Sequence, residues 1–123
     1  MISYHMKNAK KKKVLIIDDE YDLCFLLKSY LGSKNFEVAI ASTLNTGLDK
    51  IDNYHPDILF LDNHLPDGSG WDMAAEISGK NPLLKINLIS GESLQSAHQD
   101  KVKTNVRIIE KPLSLHKIDK AVA

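Results

Sequence analysis

Short apolar runs alternate with longer mixed segments along this chain. Runs of β-branched and other large apolar residues are typical of strands that are buried on both faces of a parallel sheet. Five such runs predict strands at residues 14–17, 36–41, 58–61, 86–89 and 106–109. Because a segment long enough for a helix follows each run, the pattern predicts five strand–helix units in succession.

The segments between and after the strands predict amphipathic helices. Gly32 is a stop signal for the first helix, and either Ser42 or Thr43 can cap the second. The third helix is short, at residues 71–78, and the fourth segment, 92–105, has a poor apolar stripe. The apolar residues at helical spacing are Leu23, Leu26, Leu27, Tyr30 and Leu31 in the first helix, Leu44, Leu48 and Ile51 in the second, and Leu115, Ile118 and Val122 in the last.

Alternating strands and helices predict an α/β domain with one parallel sheet covered by helices on both faces. Right-handed crossovers leave few topologies for such a doubly wound sheet. The 123 residues suit a single domain, which we expect to span residues 12–123. Residues 1–11, which are rich in lysine, predict a disordered or tag-like lead-in.

Composition narrows the classes of function. The 16 basic and 16 acidic residues balance, so net charge favours neither nucleic acid nor a membrane surface as a partner. No apolar run approaches the roughly 20 residues of a membrane span. The single cysteine, Cys24, lies among apolar neighbours and predicts a buried structural thiol, which fits a cytoplasmic protein.

Acidic residues follow two of the predicted strands directly. Asp18 and Asp19 come after the first strand, and Asp62 comes after the third. Ligand sites in open parallel sheets lie at the carboxyl ends of the strands, so adjacent strands would bring these carboxylates into one pocket. Their mutual repulsion would raise their pKa values unless a cation compensates. Mg²⁺, which prefers oxygen ligands, and Lys111 after the fifth strand are the candidate cations.

Two further strand ends carry side chains that can donate hydrogen bonds to a bound group. Ser90 ends the fourth strand, and Lys111 is followed by Pro112 after the fifth. Aspartates also cap helices and form turns, which is the simpler interpretation of each acid alone. The combination of three carboxylates, a hydroxyl and a lysine matches the needs of phosphoryl transfer: a nucleophile, a metal site and donors for phosphoryl oxygens.

The chain resembles the receiver domains of two-component response regulators, the CheY-like family. The resemblance rests on four motifs that occur in order at strand ends: "IIDDE", "ILFLDNHLPDGSG", "LISGES" and "IIEKP". It implies a flavodoxin-like (βα)5 fold whose five-stranded sheet has the order 2-1-3-4-5. It also implies a bacterial signalling protein that is phosphorylated on an aspartate.

The resemblance assigns roles to individual residues. Asp62 would accept the phosphoryl group, and Ser90 and Lys111 would contact its oxygens. Mg²⁺ would be held by Asp18, Asp19, Asp62 and the backbone carbonyl of His64. Pro112 would follow a cis peptide bond that points Lys111 inward.

Two positions depart from the family pattern, and two others are positions at which the family adjusts phosphoryl hydrolysis. Ile108 replaces the aromatic residue that usually moves inward when the hydroxyl moves. Asn63 stands where a hydrophobic residue is usual. His64 and Glu92 lie at positions where the family tunes hydrolysis of the phosphoryl group.

These features lead us to expect a receiver that takes a phosphoryl group from a sensor histidine kinase or a phosphotransfer protein. It would catalyse its own phosphorylation and dephosphorylation without turning over a separate substrate. Its output surface would be the fourth helix, fifth strand and fifth helix, which is also a possible homodimer face. One alternative is a receiver-like adaptor that binds partners without phosphorylation, and another is a phosphohydrolase with an aspartyl intermediate and His64 as the acid.

Overall fold

Five parallel strands form one sheet in the computed structural model, which describes residues 10–91 and 105–123. The strands are β1 (Lys13–Ile17), β2 (Glu37–Ala41), β3 (Ile58–Asp62), β4 (Lys85–Ser90) and β5 (Val106–Glu110). Their order in the sheet is β2-β1-β3-β4-β5, and each neighbouring pair is parallel. The predicted flavodoxin-like order 2-1-3-4-5 is therefore confirmed.

The described helices are α1 (Tyr21–Ser33), α2 (Leu44–Tyr54), α3 (Gly70–Lys80) and α4 (Leu115–Val122). A small antiparallel hairpin, formed by His64–Leu65 and Gly68–Ser69, joins β3 to α3. Residues 1–9 of the predicted lead-in at 1–11 and residues 92–104 of the predicted fourth segment lie outside the described residues. Within the described ranges, no helix combines the length and apolar character needed to cross a bilayer.

Alternate residues of each central strand enter two separate hydrophobic clusters, one on each face of the sheet. Leu15 and Leu59 belong to the cluster packed under α2 and α3. Val14, Ile16 and Phe60 belong to the cluster packed under α1 and α4. The central strands are fully apolar because both of their faces are covered by helices.

Two residues predicted to face inward are largely exposed. Leu26 in α1 is 60% exposed and Leu115 in α4 is 53% exposed. In α1 the buried face is formed by Cys24, Leu27 and Leu31 at helical spacing, and Leu26 lies about 100° away from Leu27 around the helix. Helical periodicity in the sequence could not separate Leu26 from the buried face, because Leu26 adjoins the buried stripe.

Hydroxyl side chains cap three of the helices. Thr43 accepts a hydrogen bond from the backbone N–H of Thr46, which confirms one of the two predicted caps of α2. Ser69 and Ser114 cap α3 and α4 in the same way. The cap at Ser69 explains why α3 begins at Gly70, one residue before the predicted start.

Candidate functional site

The sheet order brings the predicted acids together. Strands β1 and β3 are neighbours, with Ile17 opposite Leu61, so Asp18 and Asp62 leave the sheet side by side. One carboxylate oxygen from each of Asp18, Asp19 and Asp62 lies within 4.8 Å of the others. Asp18 and Asp62 are buried, whereas Asp19 is exposed. The three carboxylates thus form one pocket at the carboxyl end of the sheet.

Asp18 lies deepest in this pocket. Its Oδ1 accepts a 2.8 Å hydrogen bond from the backbone N–H of Glu20, while its buried Oδ2 has no hydrogen-bond partner among the described residues. The pKa of Asp18 is raised to about 6, chiefly by burial and to a lesser extent by the nearby charge of Asp62, while the hydrogen bond from Glu20 opposes the rise. The predicted rise in pKa is present, and burial rather than repulsion is its largest cause.

Asp62 ends β3 and faces both cationic and backbone donors. Its Oδ1 lies 3.3 Å from the backbone nitrogen of His64, which donates to it, and 3.8 Å from Nζ of Lys111. Burial raises the pKa of Asp62, while the hydrogen bond from His64 and the charge of Lys111 oppose that rise. A buried carboxylate with a cation nearby is suited to act as a nucleophile that must stay ionised near neutral pH.

Lys111 is aimed at the pocket from the end of β5. Its backbone N–H donates to the carbonyl of Ser90 at 2.8 Å, and its bond to Pro112 is cis, as expected. Its Nζ lies 3.2 Å from Oε1 of Glu20, closer than to Asp62. Burial lowers the pKa of Lys111, but the charges of Asp62 and Glu20 raise it by more, so the ammonium group stays charged.

Two further predicted residues, Ser90 and His64, lie beside this pocket. Ser90 is fully buried at the end of β4, opposite Glu110 of β5. His64 is the first residue of the hairpin that follows β3, and it is exposed. Ile108 is half-buried and packs against the cluster under α2 and α3. Glu92 lies outside the described residues.

Three polar contacts at the site were not predicted. Glu20, the third acid of the "DDE" run, binds Lys111. The side chain of Asn63 bonds to the start of α3, and Asp67 accepts hydrogen bonds from the start of α2. The acidic run and the unusual residue at 63 were visible signals, but the partners of these side chains depend on the folded loop.

The pocket fits a hard divalent cation. The two buried carboxylates of Asp18 and Asp62 and a third, of Asp19, at the rim supply the oxygen donors that Mg²⁺ takes, and Oδ2 of Asp18 has no partner among the residues that the structure describes. The exposed position of Asp19 leaves one side open to water, which Mg²⁺ retains in most protein sites.

This fold and site define a class of signalling domain, and comparison with known proteins agrees. Residues 14–123 match the response regulator receiver domain family, so the chain belongs to that family. The chemotaxis protein CheY of Listeria monocytogenes is 30% identical over 112 residues, which cover 89% of this chain and 94% of that protein.

Solved structures share the architecture. A CheY-like receiver domain from Methanospirillum hungatei has a TM-score of 0.81 and 25% identity, and the match covers 92% of this chain and 91% of that chain. TrrA from Thermotoga maritima, solved in complex with Mg²⁺ and BeF, has a TM-score of 0.79 and 26% identity. That match covers 90% of this chain and 96% of TrrA.

Proposed function

We propose that this domain accepts a phosphoryl group on Asp62 from the phosphohistidine of a sensor kinase or phosphotransfer protein. The observation that carries the proposal is the convergence of Asp18, Asp19 and Asp62 within 4.8 Å, with Lys111 beside them. Carboxylates in such close contact need a cation, and a nucleophilic carboxylate beside a cation site is the arrangement that phosphoryl transfer requires.

The reaction is an in-line displacement at phosphorus. An Oδ atom of Asp62 forms the new bond to phosphorus while the bond from phosphorus to the donor imidazole nitrogen breaks. The electron pair of the broken bond stays on the imidazole, whose other nitrogen carries the proton that keeps the leaving group neutral. The domain therefore catalyses its own modification and does not turn over a separate substrate.

Several groups around Asp62 would together neutralise the negative charge of the phosphoryl oxygens. Asp18, Asp19, Asp62 and the carbonyl of His64 would hold Mg²⁺, which supplies charge neutralisation for the phosphoryl oxygens. Lys111 neutralises a further oxygen, since its Nζ already lies 3.8 Å from Oδ1 of Asp62. Ser90, buried at the end of the neighbouring strand, would donate its hydroxyl to the remaining oxygen. His64 and Glu92 are the positions we propose for tuning hydrolysis.

An apolar patch beside the pocket suits the donor protein. Tyr21, Phe25 and Leu26 of α1 are 80%, 63% and 60% exposed, and Asp18 and Asp19 share a groove with Tyr21 and Phe25. Large apolar side chains grouped on one surface are typical of a protein–protein interface. A donor docked there would bring its phosphohistidine to the open side of the pocket, next to Asp19.

Phosphorylation would switch a second surface. Added charge at Asp62 would draw Ser90 and Lys111 toward the phosphoryl group and bias a two-state arrangement of the adjoining elements. The described elements of this surface are β5 and α4, and the fourth helix expected from the sequence lies outside the described residues. The same face is a possible homodimer interface. We propose no direct contact with nucleic acid.

The mass of the intact protein after incubation with acetyl phosphate and Mg²⁺ tests the proposal. We expect one added phosphoryl group on the wild type and none on Asp62→Asn. Persistent labelling of Asp62→Asn would contradict the assignment of the phosphoacceptor.

One observation favours a second candidate function, an adaptor that binds partners without phosphorylation. Ile108 occupies the position of the expected switch aromatic and packs into a hydrophobic cluster. A protein that neither binds Mg²⁺ nor forms a beryllofluoride complex would favour the adaptor. A stable beryllofluoride complex without a detectable phosphoryl adduct would instead indicate a short-lived phosphoaspartate.

A further inference from the structure

Asn63 lies between the proposed phosphoacceptor and the residue whose carbonyl would bind the metal. It is 7% exposed, although its side chain is an amide. Its Oδ1 accepts a 2.9 Å hydrogen bond from the backbone N–H of Trp71 and a 3.0 Å hydrogen bond from the hydroxyl of Ser69. A buried amide with such partners is costly to replace with an apolar group, because its donors lose their acceptor.

The backbone of Asn63 is fixed on two sides as well. Its N–H donates to the carbonyl of Ile89 in β4 at 2.9 Å, and its carbonyl accepts from the N–H of Gly70 at 3.1 Å. Asn63 therefore joins the end of β3 to the neighbouring strand and to the first residue of α3.

Asn63 also completes the start of α3. The first N–H groups of a helix have no partner within the helix. Those of Gly70 and Trp71 donate to the carbonyl and the side chain of Asn63, and that of Asp72 donates to Ser69 at 3.4 Å. The helix start is thus held against the strand end by this one asparagine and the serine bonded to it.

The contact between α3 and the phosphoacceptor is close. A Cβ atom at Gly70 would overlap the backbone carbonyl oxygen of Asp62 and the side chain of Leu61. A shift of the helix start therefore moves the backbone of Asp62 directly. Because His64 is the second residue after Asp62, its carbonyl moves with the same segment.

We infer that Asn63 is a positioning residue for the metal site. By bonding to Trp71 and Ser69, it holds the backbone from Asp62 to His64 in the conformation that presents both ligands to Mg²⁺. Residues that orient metal ligands from behind commonly change metal affinity 10–100-fold when they are mutated. This inference rests on the proposed function. It assigns a role to Asn63, which stands where the family resemblance led us to expect a hydrophobic residue.

Titration with MgCl₂ alone, followed by calorimetry and by the fluorescence of Trp71, tests the inference. Trp71 is the only tryptophan of the chain and lies two residues after Ser69. We expect Asn63→Leu, which keeps the branching at Cγ but removes the acceptor, to weaken Mg²⁺ binding by about tenfold. We expect Asn63→Asp, which keeps an acceptor oxygen, to remain within a few-fold of the wild type.

Two further variants separate positioning from a general loss of stability. Ser69→Ala removes one of the two donors to Asn63, so it should weaken Mg²⁺ binding in the same direction but by less, and it decides the question if Asn63→Leu does not fold. Thr43→Ala removes the cap of α2 without touching Asn63 and should leave Mg²⁺ binding unchanged.

The outcomes are distinct. Weaker binding by Asn63→Leu and Ser69→Ala, with recovery in Asn63→Asp, supports the inference. Wild-type affinity in both Asn63→Leu and Ser69→Ala, or equal weakening in Asn63→Asp and Asn63→Leu, overturns it alone. A wild-type protein that binds no Mg²⁺ overturns the proposed metal site, and the inference fails with it.

Discussion

Lys111 pairs more closely with Glu20 than with the proposed phosphoacceptor. Its Nζ lies 3.2 Å from Oε1 of Glu20 and 3.8 Å from Oδ1 of Asp62. The lysine is therefore shared between two carboxylates, and only that of Asp62 takes part in the proposed reaction.

Replacing Glu20 should release this lysine. We expect Glu20→Gln to be phosphorylated a few-fold faster by acetyl phosphate at saturating Mg²⁺, because the anionic donor meets less negative charge and a freer ammonium group. The rate of mass increase measures this. Glu76→Gln is the matched control, since Glu76 is also exposed and lies 3.6 Å from a lysine, but on α3. An unchanged rate in Glu20→Gln would show that the pairing has no kinetic consequence.

Asp18 should make stability depend on pH. Its pKa is raised from 3.8 to about 6 in the folded protein, so the folded state holds the proton more tightly than the unfolded chain. Without divalent cations, the free energy of unfolding should therefore fall as the pH rises through this window, by on the order of 3 kcal/mol. Urea denaturation at several pH values measures the slope, and Asp18→Asn should flatten it.

Mg²⁺ should restore the free energy of unfolding that is lost as the pH rises. The metal binds ionised carboxylates and competes with protons, so its stabilising effect should be larger at about pH 8 than at about pH 5. Urea midpoints with and without MgCl₂ measure the difference at each pH. Equal stabilisation at both pH values would contradict binding at Asp18.

Asp67 should stabilise α2 from another part of the chain. Its two carboxylate oxygens accept hydrogen bonds from the N–H groups of Asn45 and Leu44 at 2.9 and 2.7 Å, and these bonds lower the pKa of Asp67. Asp67→Ala should lower the urea midpoint at neutral pH, whereas Asp52→Ala on the exposed face of α2 should not. Because the folded pKa lies below the unfolded one, the difference between wild type and Asp67→Ala should vanish in acid.

Gly47 allows α2 to pack directly on the sheet. A Cβ atom there would overlap the side chain of Ile17, which is fully buried. We expect Gly47→Ala to lower the free energy of unfolding by about 1–3 kcal/mol through overpacking. Gly79→Ala is the control, since its Cβ would meet nothing within 4 Å and alanine favours the helix by roughly 0.5–1 kcal/mol. Equal stability of both variants would contradict the tight packing of α2.

The apolar patch on α1 should matter only for a protein donor. Phe25→Ala should slow phosphotransfer from a kinase or phosphotransfer protein that labels the wild type, and it should leave labelling by acetyl phosphate unchanged. Leu83→Ala is the control, because Leu83 is 96% exposed but lies between α3 and β4. If Phe25→Ala also lost labelling by acetyl phosphate, Phe25 would be needed for the structure of the pocket and not for docking of the donor.

The sheet and the acidic pocket could be predicted because both depend on local patterns. Strands buried on both faces are marked by continuous apolar runs, and Asp18 and Asp62 follow two of these runs directly. The strand order came from the family resemblance and not from the runs themselves.

The contacts of Glu20 and Asp67 could not be predicted, because each joins elements that are distant in sequence. Those of Asn63 with Ser69 and Trp71 span only 6 and 8 residues, but they depend on the folded loop after β3. Lys111 is 91 residues from Glu20, and Leu44 is 23 residues from Asp67. The hairpin after β3 was also missed, since its two-residue strands are too short to show a periodic pattern.

The parallel arrangement of the strands also separates charge along the domain. At one edge of the sheet, Lys10, Lys11 and Lys12 precede β1, and Lys13 and Lys85 begin β1 and β4. At the opposite edge, Asp62 ends β3, and Asp18, Asp19 and Glu20 follow β1. A chain with zero formal net charge is therefore an electric dipole whose negative pole is the end that carries the proposed phosphoacceptor. Such a dipole would rotate the domain as it approaches a charged partner, and this orienting effect would weaken as salt screens it.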